Sequence, residues 1–182
     1  IAVVAIHASS GYLNGDNIVG FDWQYANWIN SFTRFSVPIF VILSGALLLP
    51  KQEDAGSFYS KRLSKLIYPF IFWTLLYTFY NTAIFHQPVG QIFSTLLDEF
   101  THGANAHLWY LYMIIGLYFA IPFIQKIIQN STIRELEIFL VIWFISLFLF
   151  NKRWQGDLPR IDITFFSSYT GYLVLGYYLR IK

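Results

Sequence analysis

Residues 66–85 read LIYPFIFWTLLYTFYNTAIF, twenty positions without one charged side chain. Wound as a helix at about 1.5 Å per residue, such a run covers the ~30 Å hydrocarbon core of a bilayer. Similar runs flank it on both sides. Residues 108–124 are seventeen uncharged positions, and residues 28–49 are twenty-two with a single charge, Arg34, one turn before Pro38. Shorter runs occupy residues 136–150 and 163–179, and residues 1–13 are apolar but too few to span. The pattern predicts an all-α fold, a polytopic integral membrane helix bundle with about six transmembrane helices, the first incomplete. Residues 1–182 are expected to form a single transmembrane domain. Because the chain opens at Ile1 already inside an apolar run, it is expected to be a piece of a longer protein.

The composition agrees with this reading. Of 182 residues, 56% are hydrophobic, 21% aromatic and only 12% charged, against about 25% charged in a soluble domain. The mean hydropathy is +0.50. Too few charges remain to coat a soluble globule, and the composition is the opposite of a disordered chain. The net charge of +2 is small and unclustered, so no nucleic-acid partner is expected and the lipid bilayer is. The absence of Cys excludes a disulfide framework, thiolate metal sites and cysteine catalysis.

Basic residues accumulate in cytoplasmic loops. With Ile1 toward the cytoplasm, Lys51, Lys61, Arg62, Lys65, Lys126, Arg134, Arg180 and Lys182 fall inside, and Lys152, Arg153 and Arg160 fall outside. Residues 14–27 and 86–107 carry no Lys or Arg and read as outer loops. A cytoplasmic N-terminal end is therefore expected, although the basic 152–160 loop runs against it.

Ionisable groups at membrane depth cost roughly 2.5 kcal/mol or more and need a reason. His7, within the first apolar run, can act as a general base if its surroundings keep it neutral; a packing hydrogen bond to a neighbouring helix is the plainer alternative. Arg34 keeps its proton and must meet a carboxylate, carbonyls or an anion, or else snorkel to the outer surface. Arg62 and Lys65, three apart, share one face of a helical turn and suit phosphate, Arg by its fork and Lys as a point charge. The positive-inside rule alone would also place them there. His86, His102 and His107 lack metal-ligand spacing, so no metal is expected. His107, next to Trp109, reads as a polar anchor or a group lining the outer mouth. The small pairs Gly116/Ala120 and Ser167/Gly171, and the notch Ser44-Gly45-Ala46, suggest close helix packing. Pro38, Pro69 and Pro122 free backbone carbonyls that a cavity could use.

Taken together, several segments resemble the membrane-bound acyltransferase-3 family, and within it the bacterial O-acetyltransferases that modify surface polysaccharides. They are His7 on a first helix, the run from Arg34 through Pro38 to Ser44-Gly45 on a second, Phe58 to Pro69, and His107-Leu108-Trp109-Tyr110-Leu111. The resemblance implies a multi-pass inner-membrane enzyme of bacterial type. It would take an acyl group, usually acetyl, from cytoplasmic acetyl-CoA and pass it to a sugar hydroxyl of a polysaccharide or lipid-linked acceptor. His7 matches the family's catalytic histidine, as base or as acyl carrier. Arg62 and Lys65 match the paired basic positions associated with the acyl donor, where the second is usually Arg. Arg34 and Ser44 match a motif placed at the cavity wall, with His107 and Trp109 at the outer mouth. The competing expectation from another class is a transporter that uses His7 and Arg34 in a proton or anion path.

Overall fold

A computed structural model describes residues 1–13, 20–84, 92–102, 109–149 and 169–182. Every regular element among them is helical: α1 (Ala2–Leu13), α2 (Phe21–Thr33), α3 (Ser36–Leu48), α4 (Ala55–Phe58), a π-helical turn (Tyr59–Leu63), α5 (Ser64–Ile84), α6 (Ile92–His102), α7 (Trp109–Gln129), α8 (Ile133–Leu149) and α9 (Thr170–Ile181). The fold is all-α. Phe21–Leu48 and Trp109–Gln129 are long and apolar enough to cross a membrane. Large apolar side chains stand exposed along the helices, among them Phe72, Phe123, Ile127, Phe144 and Phe148. Apolar side chains exposed in such number suit helices whose solvent is lipid.

Two boundaries differ from the sequence reading. Residues 28–49 were expected as one helix, but helical structure begins at Phe21 and is interrupted by a turn at Arg34 and Phe35. Pro38 explains the break. It has no N–H to offer the carbonyl four residues back, and its ring collides with that carbonyl, which belongs to Arg34. The stretch 86–107 was expected as an outer loop, yet 92–102 forms α6. Phe93, Leu96, Leu97 and Phe100 recur at helical spacing there, and Phe100 meets Phe70 of α5 with ring centroids 5.8 Å apart. An amphipathic 3.6-residue period, which the absence of Lys and Arg does not reveal, is what forms it.

The chain divides into two compact units, residues 1–51 with 127–182 and residues 52–126. In the first, α1 packs on α2, and α3 packs on α9. Gly45 of α3 and Gly176 of α9 make the α3–α9 crossing close. A Cβ on Gly45 would collide with the Leu173 carbonyl, and one on Gly176 with the Ile42 carbonyl. Gly171 lies against the Trp143 indole, which also meets Tyr172 edge-on at 4.7 Å. At the end of α3, Gln129 donates to the Leu49 and Lys51 carbonyls at 3.0 and 3.3 Å, satisfying orphan acceptors of a helix terminus. The Gly116/Ala120 pair does not serve as expected: among the described residues nothing lies within 4 Å of a Cβ placed on Gly116. Ser167, the partner expected for Gly171, lies outside the described residues.

In the second unit, Asp54 caps the helix that begins at Ala55, its carboxylate accepting from the Ser57 N–H at 3.0 Å. Hydrogen bonds from Ser57 hold the Asp54 carboxyl below its ordinary range. The cap is therefore in place at neutral pH and is lost as pH falls through that lowered value. Tyr59 then donates to the Phe119 carbonyl at 2.9 Å, and Tyr112 to the Phe100 carbonyl at 2.9 Å. Between these ties, Phe70 meets Tyr112 edge-on at 4.8 Å.

Candidate functional site

In the first unit, the polar residues of α1 and α2 form a connected chain. Asn30, 5% exposed, donates from Nδ2 to the Ser9 hydroxyl at 3.3 Å and to the Ile6 carbonyl at 3.5 Å. Ser9, also 5% exposed, donates to the Ile6 carbonyl at 3.0 Å. The Asn30 carbonyl oxygen accepts from Arg34 Nε at 3.1 Å. Buried amides and hydroxyls cost free energy unless paired, and here each supplies the other's partner. Arg34 thus meets an amide one turn earlier on its own helix, at the break that Pro38 imposes. Asn30 carries no charge, so a search for ionisable groups passed over it; an Asn inside an apolar run was the available signal.

His7 stands on another side of α1 from this chain. The α1 side chains that face α2 include Ala5, Ala8, Ser9 and Tyr12, and at 100° per residue His7 stands about 150° around the helix from their mean direction. Its side chain is exposed, where burial was expected. Its carbonyl accepts from the Ser10 hydroxyl at 2.8 Å. Ser44 donates to the Phe40 carbonyl of its own helix at 2.8 Å. Trp109 opens α7 with its ring half exposed and edge-on to Tyr110, and His107 lies outside the described residues.

In the second unit, the π-helical turn Tyr59–Leu63 carries the basic residues. π-turns are rare and concentrate at functional sites. Beside it opens a pocket of about 700 Å³ lined by Ser60, Lys61, Arg62, Ser64, Lys65, Leu66 and Tyr118. Three cations and three hydroxyl-bearing residues around one cavity suit a phosphate-bearing ligand. Arg62 is not idle. Its Nε and Nη2 hold the Glu53 carboxylate at 2.8 to 3.2 Å, and its guanidinium lies 5.3 Å from the centre of the buried Phe58 ring. The structure therefore brings Arg62 and Lys65 to one cavity as expected, and adds Lys61 and a competing carboxylate that the spacing did not reveal.

A second polar feature of this unit also escaped the sequence reading. Thr74, Thr78 and Thr82 repeat every four residues along α5. Thr74 and Thr78 are fully buried; Thr78 donates to the Thr74 carbonyl at 2.9 Å, whereas the hydroxyls of Thr74 and Thr82 meet no acceptor among the described residues. Among the described residues, no three side chains of metal-ligating type come together.

A family model described as an acyltransferase domain, that of the acyltransferase-3 family, matches residues 1–182. No curated protein and no solved structure matches the chain.

Proposed function

Because the chain belongs to the acyltransferase-3 family, an assignment that makes it an acyltransferase, we propose that it moves an acetyl group from a coenzyme A thioester to a sugar hydroxyl of a surface polysaccharide or lipid-linked glycan. The observation that supports the donor is the basic pocket at the π-turn, which offers three cations to the phosphates of coenzyme A. His7 serves as the base that takes the proton of the acceptor hydroxyl as it attacks the thioester carbonyl, or carries the acyl group itself. The enzyme sits in the inner membrane of a bacterium with the Ile1 end toward the cytoplasm. The transporter reading gains nothing from the geometry, since Arg34 pairs with Asn30 and His7 stands on another face of α1.

Release of free coenzyme A from acetyl-CoA by the protein in membranes tests the reading directly. Arg62→Ala together with Lys65→Ala should raise the KM for the thioester by about a hundredfold, each lost charge-assisted hydrogen bond being worth roughly 1.5 kcal/mol. A thioester left untouched by the unmodified protein would remove the proposal. Glu53 provides a finer check. Its carboxylate occupies the Arg62 fork that a phosphate would use, so Glu53→Gln should tighten binding of adenosine 3′,5′-bisphosphate about fivefold, the ~1 kcal/mol of a partly exposed ion pair. It should also steepen the loss of binding with added salt. Weaker binding in Glu53→Gln would show instead that the carboxylate holds the arginine in its working position.

A further inference from the structure

The face of α1 opposite His7 and the start of α2 enclose a separate groove of about 530 Å³, lined by Ala5, Ala8, Ser9, Tyr12, Asp22, Tyr25, Ala26 and Ile29. Its size falls within the ~300–1,000 Å³ usual for small-molecule clefts. The groove exists because the two helices meet through small side chains. Ala5, Ala8 and Ala26 line it together with the larger Tyr12 and Tyr25. Tyr25 is stacked on Phe21, with centroids 6.4 Å apart and planes within 10°. Both tyrosines are more than 60% exposed. Ser9 brings the hydroxyl that Asn30 already fixes, and Asp22 stands exposed in the first turn of α2.

We infer that this groove is a binding site for a neutral pyranose ring of the acceptor glycan, gripped by Tyr12, Tyr25, Asp22 and Ser9. The chemistry is complementary. The C–H face of a sugar ring carries a weak positive potential and stacks on the negative face of a phenol ring. A carboxylate accepts from two neighbouring hydroxyls in charge-assisted bonds, and the Asp22 charge repels phosphate or another carboxylate. The groove is on the far face of α1 from His7, so the ring it holds is not the one acylated. It anchors the acceptor through a neighbouring sugar, the kind of remote contact that supplies binding energy to a reaction elsewhere. With Ile1 toward the cytoplasm, Tyr12 and Asp22 lie at the outer ends of α1 and α2. The identity of the ligand as the acceptor rests on the acyl-transfer reading; the sugar site itself does not.

The test is saturation-transfer NMR on the full chain in lipid nanodiscs, with methyl glucoside, methyl galactoside and methyl N-acetylglucosaminide as probes and choline as the cationic competitor for an aromatic, acidic groove. At least one glycoside should receive saturation on its ring protons. Asp22→Asn and Tyr25→Ala should each weaken that binding about tenfold while leaving the elution volume and unfolding temperature unchanged. Tyr25→Phe, which keeps the ring, should bind nearly as well. Binding of choline alone, no glycoside signal, or signals indifferent to Asp22→Asn and Tyr25→Ala would each overturn the inference. If glycosides bind through Asp22 yet acetyl-CoA is never consumed, the sugar site stands and acyl transfer falls. If transfer proceeds with the same acceptor KM in Asp22→Asn, the groove falls and acyl transfer stands.

Discussion

His7→Ala should reduce acyl transfer by roughly 10² to 10⁴, the usual contribution of a positioned general base, with little effect on the amount of folded protein in the membrane. The structural side of that expectation follows from where the residue stands. His7 is exposed on the face of α1 turned away from α2, so its removal opens no cavity in the α1–α2 contact, and Ala is the better helix former. The bonds that tie Ser9, Asn30 and Arg34 together run among those side chains and the Ile6 carbonyl. Coenzyme A release and transfer to acceptor, measured together, separate the two roles proposed for the ring. A base leaves the thioester intact until an acceptor arrives. A carrier releases one equivalent of coenzyme A in the absence of acceptor and leaves a hydroxylamine-labile acyl group on the protein, and both signals vanish in His7→Ala. Transfer at the unmodified rate in that variant would remove His7 from the chemistry altogether.

The membrane character of the chain was legible because burial in lipid is written in composition: a helix facing hydrocarbon must be apolar all round, and the run within Trp109–Gln129 shows it without any periodicity. The break at Arg34 and Phe35 was also legible in principle, through the missing N–H of Pro38, but a count of uncharged residues ignores backbone donors. α6 was hidden for a related reason. Its signal is a stripe, Phe93, Leu96, Leu97 and Phe100, and a stripe is invisible to a search for unbroken apolar length. At the candidate site, the i, i+3 spacing of Arg62 and Lys65 matches the cavity they both line. It could not show that Glu53, nine residues before Arg62, holds the guanidinium, because loop geometry rather than helical spacing brings the carboxylate there. Uncharged polar groups were missed most thoroughly. Asn30, Ser9 and the Thr74–Thr78–Thr82 row carry no charge, so ionisable chemistry does not point to them, and their importance lies in burial and pairing, which only the packed structure supplies.

Gly45→Ala or Gly176→Ala should destabilise the first unit by about 3 kcal/mol, the upper end of what an overpacked core costs. What a new methyl meets at each position is backbone: the Leu173 carbonyl from Gly45, and the Ile42 carbonyl together with the Ala46 nitrogen from Gly176. A flexible side chain could rotate aside, but a helix backbone can yield only by moving the whole helix. Separating α3 from α9 would also strain the Arg180 bond to the Ala46 carbonyl, 2.7 Å long, which closes the same contact near the end of α9. In lipid the loss cannot be recovered by hydrophobic collapse, because small residues at the crossing and the van der Waals contacts they allow are what hold such helices together. Gly116→Ala is the internal control. It places the same methyl where nothing lies within 4 Å among the described residues, and it removes a glycine from the interior of α7, so it should stabilise by about 0.5 to 1 kcal/mol. Unfolding from mixed micelles, followed by tryptophan fluorescence, would rank the three variants. Equal and small effects at Gly45, Gly176 and Gly116 would mean that α3 and α9 do not cross as closely as the structure has them. A large loss at the first two with a gain at the third can come only from a backbone-to-backbone contact, since propensity alone predicts the same gain at all three.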